Sequence, residues 1–333
     1  MIKAYAAKSA SAPFEIFEFT PDPLGPHDVE IDVKSCGICH SDVSMWKNEW
    51  GITGYPFVGG HEVSGVISQV GSLVSNVTIG DKVGLGWHKG YCNTCNHCLS
   101  GDHNLCGQQQ GTIIGNHGGF ADKVRAQDTS VIKLPEELDI NDAGPLLCGG
   151  ITVFNPFIQF DIKPTSSVAI IGIGGLGHLA LQFARAWGCD VTAFTSESKM
   201  DEAKDMGAHH CLNSRDPAAI AAAEGRFDLI ISTVNVSMDW GLILDTLKPK
   251  GRLHFVGIVE APIEIAALPM ISSQKSISGS PVGAPATLIT MMEFAARHNI
   301  KPVTEVYKFS EINEAFEHLE EGKARYRIVL QHD

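Results

Sequence analysis

The segment Val168–Lys199, which reads VAIIGIGGLGHLALQFARAWGCDVTAFTSESK, decides the fold. Val168–Ile171 is a continuous apolar run, mostly β-branched, and is typical of a strand buried on both faces. The apolar residues within Leu179–Trp187 then fit one face of a helix, which Gly188 is expected to end. Val191–Phe194 resumes a strand. A strand, a helix and a strand within about thirty residues predict a βαβ unit with parallel strands.

The turn between the first strand and the helix carries glycines in G-x-G-x-x-G spacing. They are Gly172, Gly174 and Gly177, with Gly175 and Leu176 between the last two. An ordinary turn is the alternative, because a glycine motif alone is a weak signal. In this context the glycines allow a tight turn and close backbone approach, and the helix N-terminus faces a pyrophosphate. The segment therefore predicts a dinucleotide site.

Composition narrows the class of protein. The chain has 333 residues, of which 44% are hydrophobic and 19% charged, and this predicts a compact two-domain enzyme rather than a disordered chain. A net charge of −13 disfavours nucleic acid and anionic membranes as partners. We find no apolar run of the roughly 20 residues that span a bilayer and no signal-peptide core. We therefore expect a reducing cytoplasm, where the nine cysteines serve as ligands or core residues rather than in disulfides.

The pattern of predicted secondary structure changes near residue 150. Residues 1–150 contain short alternating runs such as Val29–Val33 and Val63–Val70, which predict a β-rich, barrel-like domain. Residues 151–285 alternate strands and helices, which predicts a parallel sheet. Residues 286–333 are expected to return to the first domain. The other predicted elements are strands at Asp228–Ser232, Arg252–Gly257, Ser276–Gly279 and Tyr326–Leu330 and helices at Thr287–His298 and Ile312–Glu321.

Four closely spaced cysteines give the strongest signal in the sequence: Cys92, Cys95, Cys98 and Cys106. Soft thiolates in a polar loop are typical of a closed, tetrahedral structural zinc site. An iron–sulfur cluster is the competing interpretation because the spacing loosely resembles ferredoxin ligation. A third interpretation is that the four residues are unrelated free thiols. No other cysteine cluster implies electron transfer, so we predict structural zinc.

A second set of possible ligands is dispersed along the chain, with Cys39 in CGICHSD, His61 and Glu62 in GGHE, and Cys148 in LLCGG. Taken singly, each of these residues can be structural. A catalytic zinc requires three protein ligands and an open position. Spacing alone does not assemble this set.

With both cysteine sets and the glycine turn, the chain resembles the zinc-dependent medium-chain alcohol dehydrogenases. Within them it is most similar to the cinnamyl-alcohol-dehydrogenase-like branch and its bacterial NADPH-dependent aldehyde reductases of broad specificity. The resemblance covers nearly the whole chain and includes GPLLC at 144–148 and ARYR at 324–327. It implies an α/β fold with a Rossmann, doubly wound parallel sheet in residues 151–285. It also implies a β-rich, GroES-like barrel catalytic domain in residues 1–150 and 286–333.

The resemblance also implies roles for the dispersed residues. Cys39, His61 and Cys148 would hold a catalytic zinc, which polarises a carbonyl oxygen. Glu62 would be a transient fourth ligand or would only orient its neighbours. Ser41 would pass a proton to the substrate oxygen, with a plain buried serine as the alternative.

Further roles follow for neighbouring positions. Asp42 would receive the other ring N–H of the zinc histidine and fix its tautomer. Many relatives carry a histidine three residues after the relay hydroxyl, but this chain has Ser44 there, so a histidine step in the proton path should be missing. The resemblance implies cofactor contacts at His40, Thr233, Val256, Gly257, Ser280 and Arg327.

The end of the second strand predicts which cofactor is used. NAD enzymes carry Asp or Glu there, roughly 20 residues after the glycine turn, to bind the ribose hydroxyls. This chain has Thr195, followed by Ser196, Ser198 and Lys199, which suit a 2′-phosphate. We expect Glu197 to point to solvent. A polar turn with no cofactor preference is the alternative.

These observations predict a zinc- and NADPH-dependent aldehyde reductase, reversible as an alcohol dehydrogenase, with two zinc ions per chain. The alternatives are an NAD-dependent polyol or alcohol dehydrogenase, a zinc-free quinone or enone reductase on the same fold, and an NADPH-sensing binding protein. The expected substrate is a small aldehyde or alcohol. Ser276–Val282 resembles the edge segment that pairs across a two-fold axis in this family, so we expect a homodimer. A covered inner strand is the alternative.

Overall fold

The computed structural model describes residues 1–259 and 261–332. They form two compact units. The first is Met1–Ile151 together with the segment from Val282, and the second is Thr152–Pro281. The return to the first unit falls earlier than the predicted boundary at residue 286, since Gly283 lies directly against Ile151. None of the helices in the described residues is long and apolar enough to cross a membrane.

The first unit is built mainly of strands and begins with nine of them and two short helices. In chain order they are β1 (Ile2–Ala7), β2 (Phe14–Phe19), β3 (Asp28–Ile38), α1 (His40–Lys47), β4 (Val63–Val70), β5 (Lys82–Leu85), β6 (His88–Gly90), α2 (Asn96–Leu99), β7 (Gln110–Gly111), β8 (Lys123–Gln127) and β9 (Val131–Lys133).

The second unit alternates strands and helices. After α3 (Gly149–Gln159), within which the two units divide, it contains β10 (Ser167–Ile171), α4 (Gly177–Trp187), β11 (Asp190–Thr195), α5 (Met200–Asp205), β12 (His210–Asn213), α6 (Pro217–Ala221), β13 (Phe227–Ser232), α7 (Trp240–Asp245), β14 (Leu247–Phe255), α8 (Ala267–Ser273) and β15 (Ser276–Gly279). The chain then returns to the first unit with α9 (Pro285–His298), β16 (Thr304–Lys308), α10 (Ile312–Glu320) and β17 (Arg327–Gln331).

The main sheet of the first unit has the order β16-β17-β3-β4-β5-β9, with β8 also paired to β3. β3 is long enough for three partners, because β8 and β17 pair with its two halves and β4 pairs along most of its length. Its apolar side chains are buried in the core of the unit. β17 lies antiparallel beside the end of β3, where Ile328 pairs with Ile38. This pairing brings the C-terminal strand next to the residues that follow β3.

The sheet of the second unit is parallel throughout, in the order β12-β11-β10-β13-β14-β15. The chain runs outward from β10 in one direction and from β13 in the other, so the topological switch point lies between these two strands. Its strands are almost fully buried at the centre, as the apolar run Val168–Ile171 predicted. The predicted α/β fold is confirmed.

The bounds of one predicted strand are wrong. The sequence predicted a strand from Arg252 to Gly257, but β14 begins earlier, at Leu247, and ends at Phe255. The backbone N–H groups of Val256 and Gly257 both donate to the carbonyl oxygen of Ser232, at 3.0 and 3.1 Å. The chain therefore leaves the sheet where β13 also ends.

Candidate active site and cofactor-binding segments

Four dispersed side chains meet in the interior of the first unit. Cys39 precedes α1, His61 and Glu62 precede β4, and Cys148 precedes α3. All four are buried, and one ligand atom from each lies within 4.8 Å of the others. The structure therefore brings together the set that spacing alone did not assemble.

The distances in this group fit a tetrahedral metal ion. The sulfur atoms of Cys39 and Cys148 are 3.9 Å apart, and Nε2 of His61 is 3.3 Å from the Cys148 sulfur. Sulfurs bound tetrahedrally at the usual zinc–sulfur distance lie about 3.8 Å apart, whereas a disulfide would bring them to about 2 Å. Two thiols, an imidazole and a carboxylate are also the ligand types that zinc prefers.

Asp42 orients the histidine of this group. Its fully buried carboxylate accepts hydrogen bonds from the backbone N–H groups of Cys39 (2.9 Å) and Gly60 (2.8 Å), and Nδ1 of His61 lies 3.1 Å away. A proton on Nδ1 leaves Nε2 as the free ligand atom. The Asp42 carboxylate therefore lies within hydrogen-bond distance of one ring nitrogen of His61, while the other ring nitrogen faces the Cys148 sulfur.

Glu62 forms a buried ion pair with Arg327, the first residue of β17. One oxygen of Glu62 bonds the guanidinium, while the other, Oε2, is buried without a hydrogen-bond partner. A side chain at Gly37 would overlap that second oxygen, so glycine leaves room for it. Arg327 was predicted as a cofactor contact, and sequence reasoning missed this ion pair.

The electrostatics of the group favour a thiolate. The hydrogen bond from the Cys148 thiol lowers the pKa of Cys39 well below its usual value. The same hydrogen bond, together with burial, raises the pKa of Cys148. Burial raises the pKa of Glu62 to about 7, although Arg327 opposes this. A buried thiolate and an unpaired carboxylate oxygen both become less costly when a cation lies between them.

The neighbouring residues differ in their burial. Ser41 is half-buried. Ser44, at the position where many relatives carry a relay histidine, is buried in α1. The ring of Trp87 lies edge-on to His61, with centroids 4.8 Å apart. His40, predicted to contact the cofactor, is exposed at the first position of α1.

The cysteine lobe forms a second possible metal site. The ligand atoms of Cys92, Cys95, Cys98 and Cys106 lie within 4.8 Å of one another. Sulfur–sulfur distances are 3.9 Å for Cys92–Cys98 and 3.5 Å for Cys92–Cys106. The backbone N–H groups of Thr94 and Cys95 lower the pKa of Cys92 to about 6. The geometry again fits four thiolates around one ion.

In the second unit the glycine turn follows β10. Gly172 has φ +86°, a left-handed conformation, and a side chain at Gly177 would overlap the carbonyl oxygen of Gly172. A side chain at Gly174 would meet open space. Gly172 and Gly177 are therefore required by the turn itself, while Gly174 leaves its outer surface free for a ligand. Gly175 and Leu176 complete the turn before α4.

Thr233 lies at the topological switch point. Its hydroxyl donates to the carbonyl oxygens of Ile171 and Gly172, both at 2.9 Å. Gly257 packs against the Thr233 backbone, where a side chain would not fit. These two predicted cofactor residues, with Val256, lie at the carboxyl edge of the sheet, where doubly wound folds bind ligands.

The segment after β11 carries the predicted selectivity residues. Thr195 is buried, and the hydroxyls of Ser196 and Ser198 are 3.1 Å apart. Nζ of Lys199 lies 3.4 Å from the carbonyl oxygen of Ile173, so its charge reaches the glycine turn. Glu197 is exposed, and its carboxylate accepts a hydrogen bond from Asn213.

Ser280, another predicted cofactor residue, has a partner that sequence reasoning missed. Nε2 of His254 lies 3.0 Å from its hydroxyl, and Nδ1 lies 2.9 Å from that of Ser278. His254 is fully buried on β14, directly opposite Ser278 in the strand pairing. In the sequence, a single histidine inside a predicted buried strand was the signal that could have indicated a polar partner for these serines.

Comparisons with known proteins agree with both units. Residues 25–136 match the family model of the alcohol dehydrogenase GroES-like domain, and residues 175–297 match that of the zinc-binding dehydrogenases. The chain is 58% identical over 333 residues to the aldehyde reductase AdhA of Synechocystis, covering 100% of this chain and 99% of that protein.

Two solved structures are similar over the same length. A cinnamyl alcohol dehydrogenase from Sorghum bicolor has a TM-score of 0.94 and 37% identity, covering 99% of this chain and 97% of that one. A cinnamyl alcohol dehydrogenase from Helicobacter pylori, complexed with NADP(H), has a TM-score of 0.91 and 30% identity, with the same coverage. The chain therefore belongs to the zinc-binding alcohol dehydrogenase family and is an oxidoreductase.

Proposed function

We propose that this enzyme reduces aldehydes to primary alcohols with NADPH and a catalytic zinc ion, and that it catalyses the reverse reaction as an alcohol dehydrogenase. The observation that carries the proposal is the buried Cys39–His61–Cys148 group with Asp42 behind the histidine. The 58% identity to an aldehyde reductase supports an aldehyde as the substrate.

Three residues would hold the catalytic zinc. Cys39, His61 and Cys148 supply two sulfurs and one imidazole nitrogen, and zinc bound there would act as a Lewis acid toward a carbonyl oxygen. Asp42 fixes the ring of His61, so its Nε2 stays directed at the same point. The unpaired Oε2 of Glu62 can approach that point as a transient fourth ligand, while Arg327 restrains the other oxygen.

The proton path would begin at Ser41. Its half-buried hydroxyl follows Cys39 by two residues and is the donor that the family resemblance implies. Ser44 stands where many relatives have a histidine, so the next carrier would be the cofactor ribose and water.

NADP(H) is supported by the second unit. NADPH would supply the hydride, and its 2′-phosphate would receive hydrogen bonds from the hydroxyls of Thr195, Ser196 and Ser198 and a positive charge from Lys199. The similar enzyme from Helicobacter pylori was solved with NADP(H). The pyrophosphate would lie at the glycine turn, with further contacts from the residues at the sheet edge.

A second zinc ion would have a structural role. The four cysteines of the lobe leave no open position for a substrate, and the lobe has only a very small apolar cluster around Tyr91, Cys98 and Cys106. A closed site of this kind contributes folding free energy. We also propose a homodimer and a cytoplasmic location, the latter supported by nine unpaired cysteines.

The test combines kinetics with elemental analysis. Purified enzyme should oxidise NADPH with an aldehyde, contain about two zinc ions per chain, and lose activity to a chelator. Cys39→Ser should abolish turnover while NADPH binding, followed by fluorescence, stays intact because the glycine turn belongs to the other unit. Full activity in zinc-free protein would instead identify a quinone or enone reductase. A preference for NAD with a polyol as the substrate would identify an NAD-dependent polyol dehydrogenase.

A further inference from the structure

Glu197 presents a problem for an NADPH-dependent enzyme. It is the one carboxylate in the segment Thr195–Lys199, which is expected to receive the 2′-phosphate. A carboxylate at the end of this strand normally accepts the ribose hydroxyls of NAD, and it repels a phosphate. Its effect on cofactor choice therefore depends on where the side chain is held.

Asn213 holds that side chain. It ends β12, where it pairs directly with Thr195 of β11. Nδ2 of Asn213 donates to Oε1 of Glu197 at 3.2 Å. The Glu197 carboxylate is thus bonded to the neighbouring strand.

The orientation of the Asn213 amide is fixed by the backbone. Its Oδ1 accepts the backbone N–H of Arg215 at 3.0 Å, an Asx turn that assigns the oxygen to one side. The nitrogen must then face Glu197, so the contact is a hydrogen bond from donor to carboxylate. The backbone bond from Ser214 N–H to the Thr195 carbonyl oxygen, 2.9 Å, fixes the two segments beside each other.

We infer that Asn213 is a positioning residue for cofactor selectivity, which tethers the Glu197 carboxylate toward β12 and away from the 2′-phosphate. The 2′-phosphate would then meet the hydroxyls of Thr195, Ser196 and Ser198 and the ammonium of Lys199 rather than the Glu197 carboxylate. The role of Asn213 rests on the NADPH preference proposed above, because only a phosphate-bearing cofactor suffers from a free Glu197.

Asn213→Ser tests the tether without adding charge. Serine retains an oxygen that can accept the Arg215 N–H, but it is too short to reach Glu197. We expect the Kd of NADPH, titrated by fluorescence without aldehyde, to rise about three- to fivefold, the scale of an exposed charged contact. The Kd of NADH should not rise, and kcat at saturating NADPH should be unchanged.

A double-mutant cycle separates the tether from a structural effect. In the Glu197→Gln background no carboxylate is left to restrain, so adding Asn213→Ser should leave the Kd of NADPH unchanged. The control is Asn141→Ser, because the exposed Asn141 amide also donates to a carboxylate, that of Asp139 at 3.0 Å, but lies in the first unit. It should alter neither cofactor's Kd.

Three results would overturn the inference: an unchanged NADPH Kd in Asn213→Ser, an equal rise for both cofactors, or a rise that persists with Gln at position 197. Equal use of NADH and NADPH by the parent enzyme would refute the proposed preference instead. Even then the cycle on NADPH would still decide whether Asn213 acts through Glu197.

Discussion

At the scale of single residues, the Asp42 carboxylate is the most constrained group at the proposed active site. It is fully buried, accepts hydrogen bonds from two backbone N–H groups and lies within hydrogen-bond distance of His61. Asn of the same shape would replace one acceptor oxygen with an NH₂ donor. We expect Asp42→Asn to cost about 1–3 kcal/mol of stability and to weaken zinc binding about 10- to 100-fold.

Zinc content after dialysis against a competing chelator would measure this effect. Asp28→Asn is the matched control, since Asp28 is only half-buried and accepts one backbone N–H, from Gly25 at 3.0 Å. Parent-like zinc retention in Asp42→Asn would show that Asp42 does not orient the histidine.

Lys199 gives a second prediction at this scale. Its ammonium extends from the segment Thr195–Lys199 to the glycine turn, where it lies 3.4 Å from the Ile173 carbonyl oxygen. Removing that charge should weaken binding of the cofactor that carries a 2′-phosphate and leave NADH nearly unaffected. We therefore expect Lys199→Ala to raise the Kd of NADPH about tenfold, a loss of about 1.4 kcal/mol. A parallel loss for NADH would assign Lys199 to the turn itself.

The sequence and the family resemblance named the candidate site residues but not the partners that hold them. Cys39, His61 and Cys148 were grouped only through the family resemblance, because residues far apart in sequence meet only after the strands pair. The hydrogen bonds that Glu62 accepts from Arg327 and that Glu197 accepts from Asn213 were not predicted for the same reason. Both depend on which segments become neighbours in the fold, and the periodicity within one segment does not show this.

At the scale of structural elements, the glycine turn offers two substitutions with opposite consequences. Gly177→Ala would place a methyl group onto the Gly172 carbonyl oxygen and push α4 away from β10. Gly174→Ala would place it in open space, where the pyrophosphate is expected. We expect the first variant to lose thermal stability, and the second to keep it while binding both NADPH and NADH more weakly.

Melting temperatures and cofactor titrations of the two variants would check this. If Gly174→Ala bound both cofactors like the parent, the turn would not approach the pyrophosphate.

The cysteine lobe makes a prediction about folding. The four cysteines lie in a segment with little apolar core, so a metal ion bound there would supply folding free energy. Cys98→Ser should lower the melting temperature and remove one zinc per chain. Cys211→Ser removes a half-buried thiol outside both clusters and is the control. Unchanged zinc content and stability in Cys98→Ser would refute a structural metal.

Strand and helix positions were well predicted where the hydrophobic period is strong. The helix predicted within Leu179–Trp187 is α4, which ends at Trp187, and the Gly188 that follows has φ +102°, as a glycine that caps a helix C-terminus should. The end of β14 was misplaced because Val256 continues the apolar pattern. Its backbone N–H nevertheless donates to the carbonyl oxygen of Ser232, the last residue of β13, a contact that the pattern alone does not reveal.

At the scale of the whole molecule, the outer edge of the second unit's sheet provides the last prediction. β15 is one of the two edge strands of this sheet and, among the described residues, pairs only with β14. An unpaired strand edge is a template for another strand. The helix before it, α8, exposes Leu268 and Ile271 at 74% and 73%, which is more apolar surface than a solvated helix needs. Pairing of β15 with β15 of a second copy would bury both features across a two-fold axis.

Charges on α8 should therefore separate the subunits. We expect the parent to sediment with the mass of two chains at micromolar concentration, and Leu268→Glu with Ile271→Glu to sediment as one, because two buried carboxylates without partners would oppose association. Leu99→Glu is the matched control: Leu99 is also 74% exposed but lies in the cysteine lobe, so the dimer should persist. A parent that sediments as a single chain would refute the dimer. Dissociation by Leu99→Glu alone would place the interface on the lobe instead of on the sheet edge.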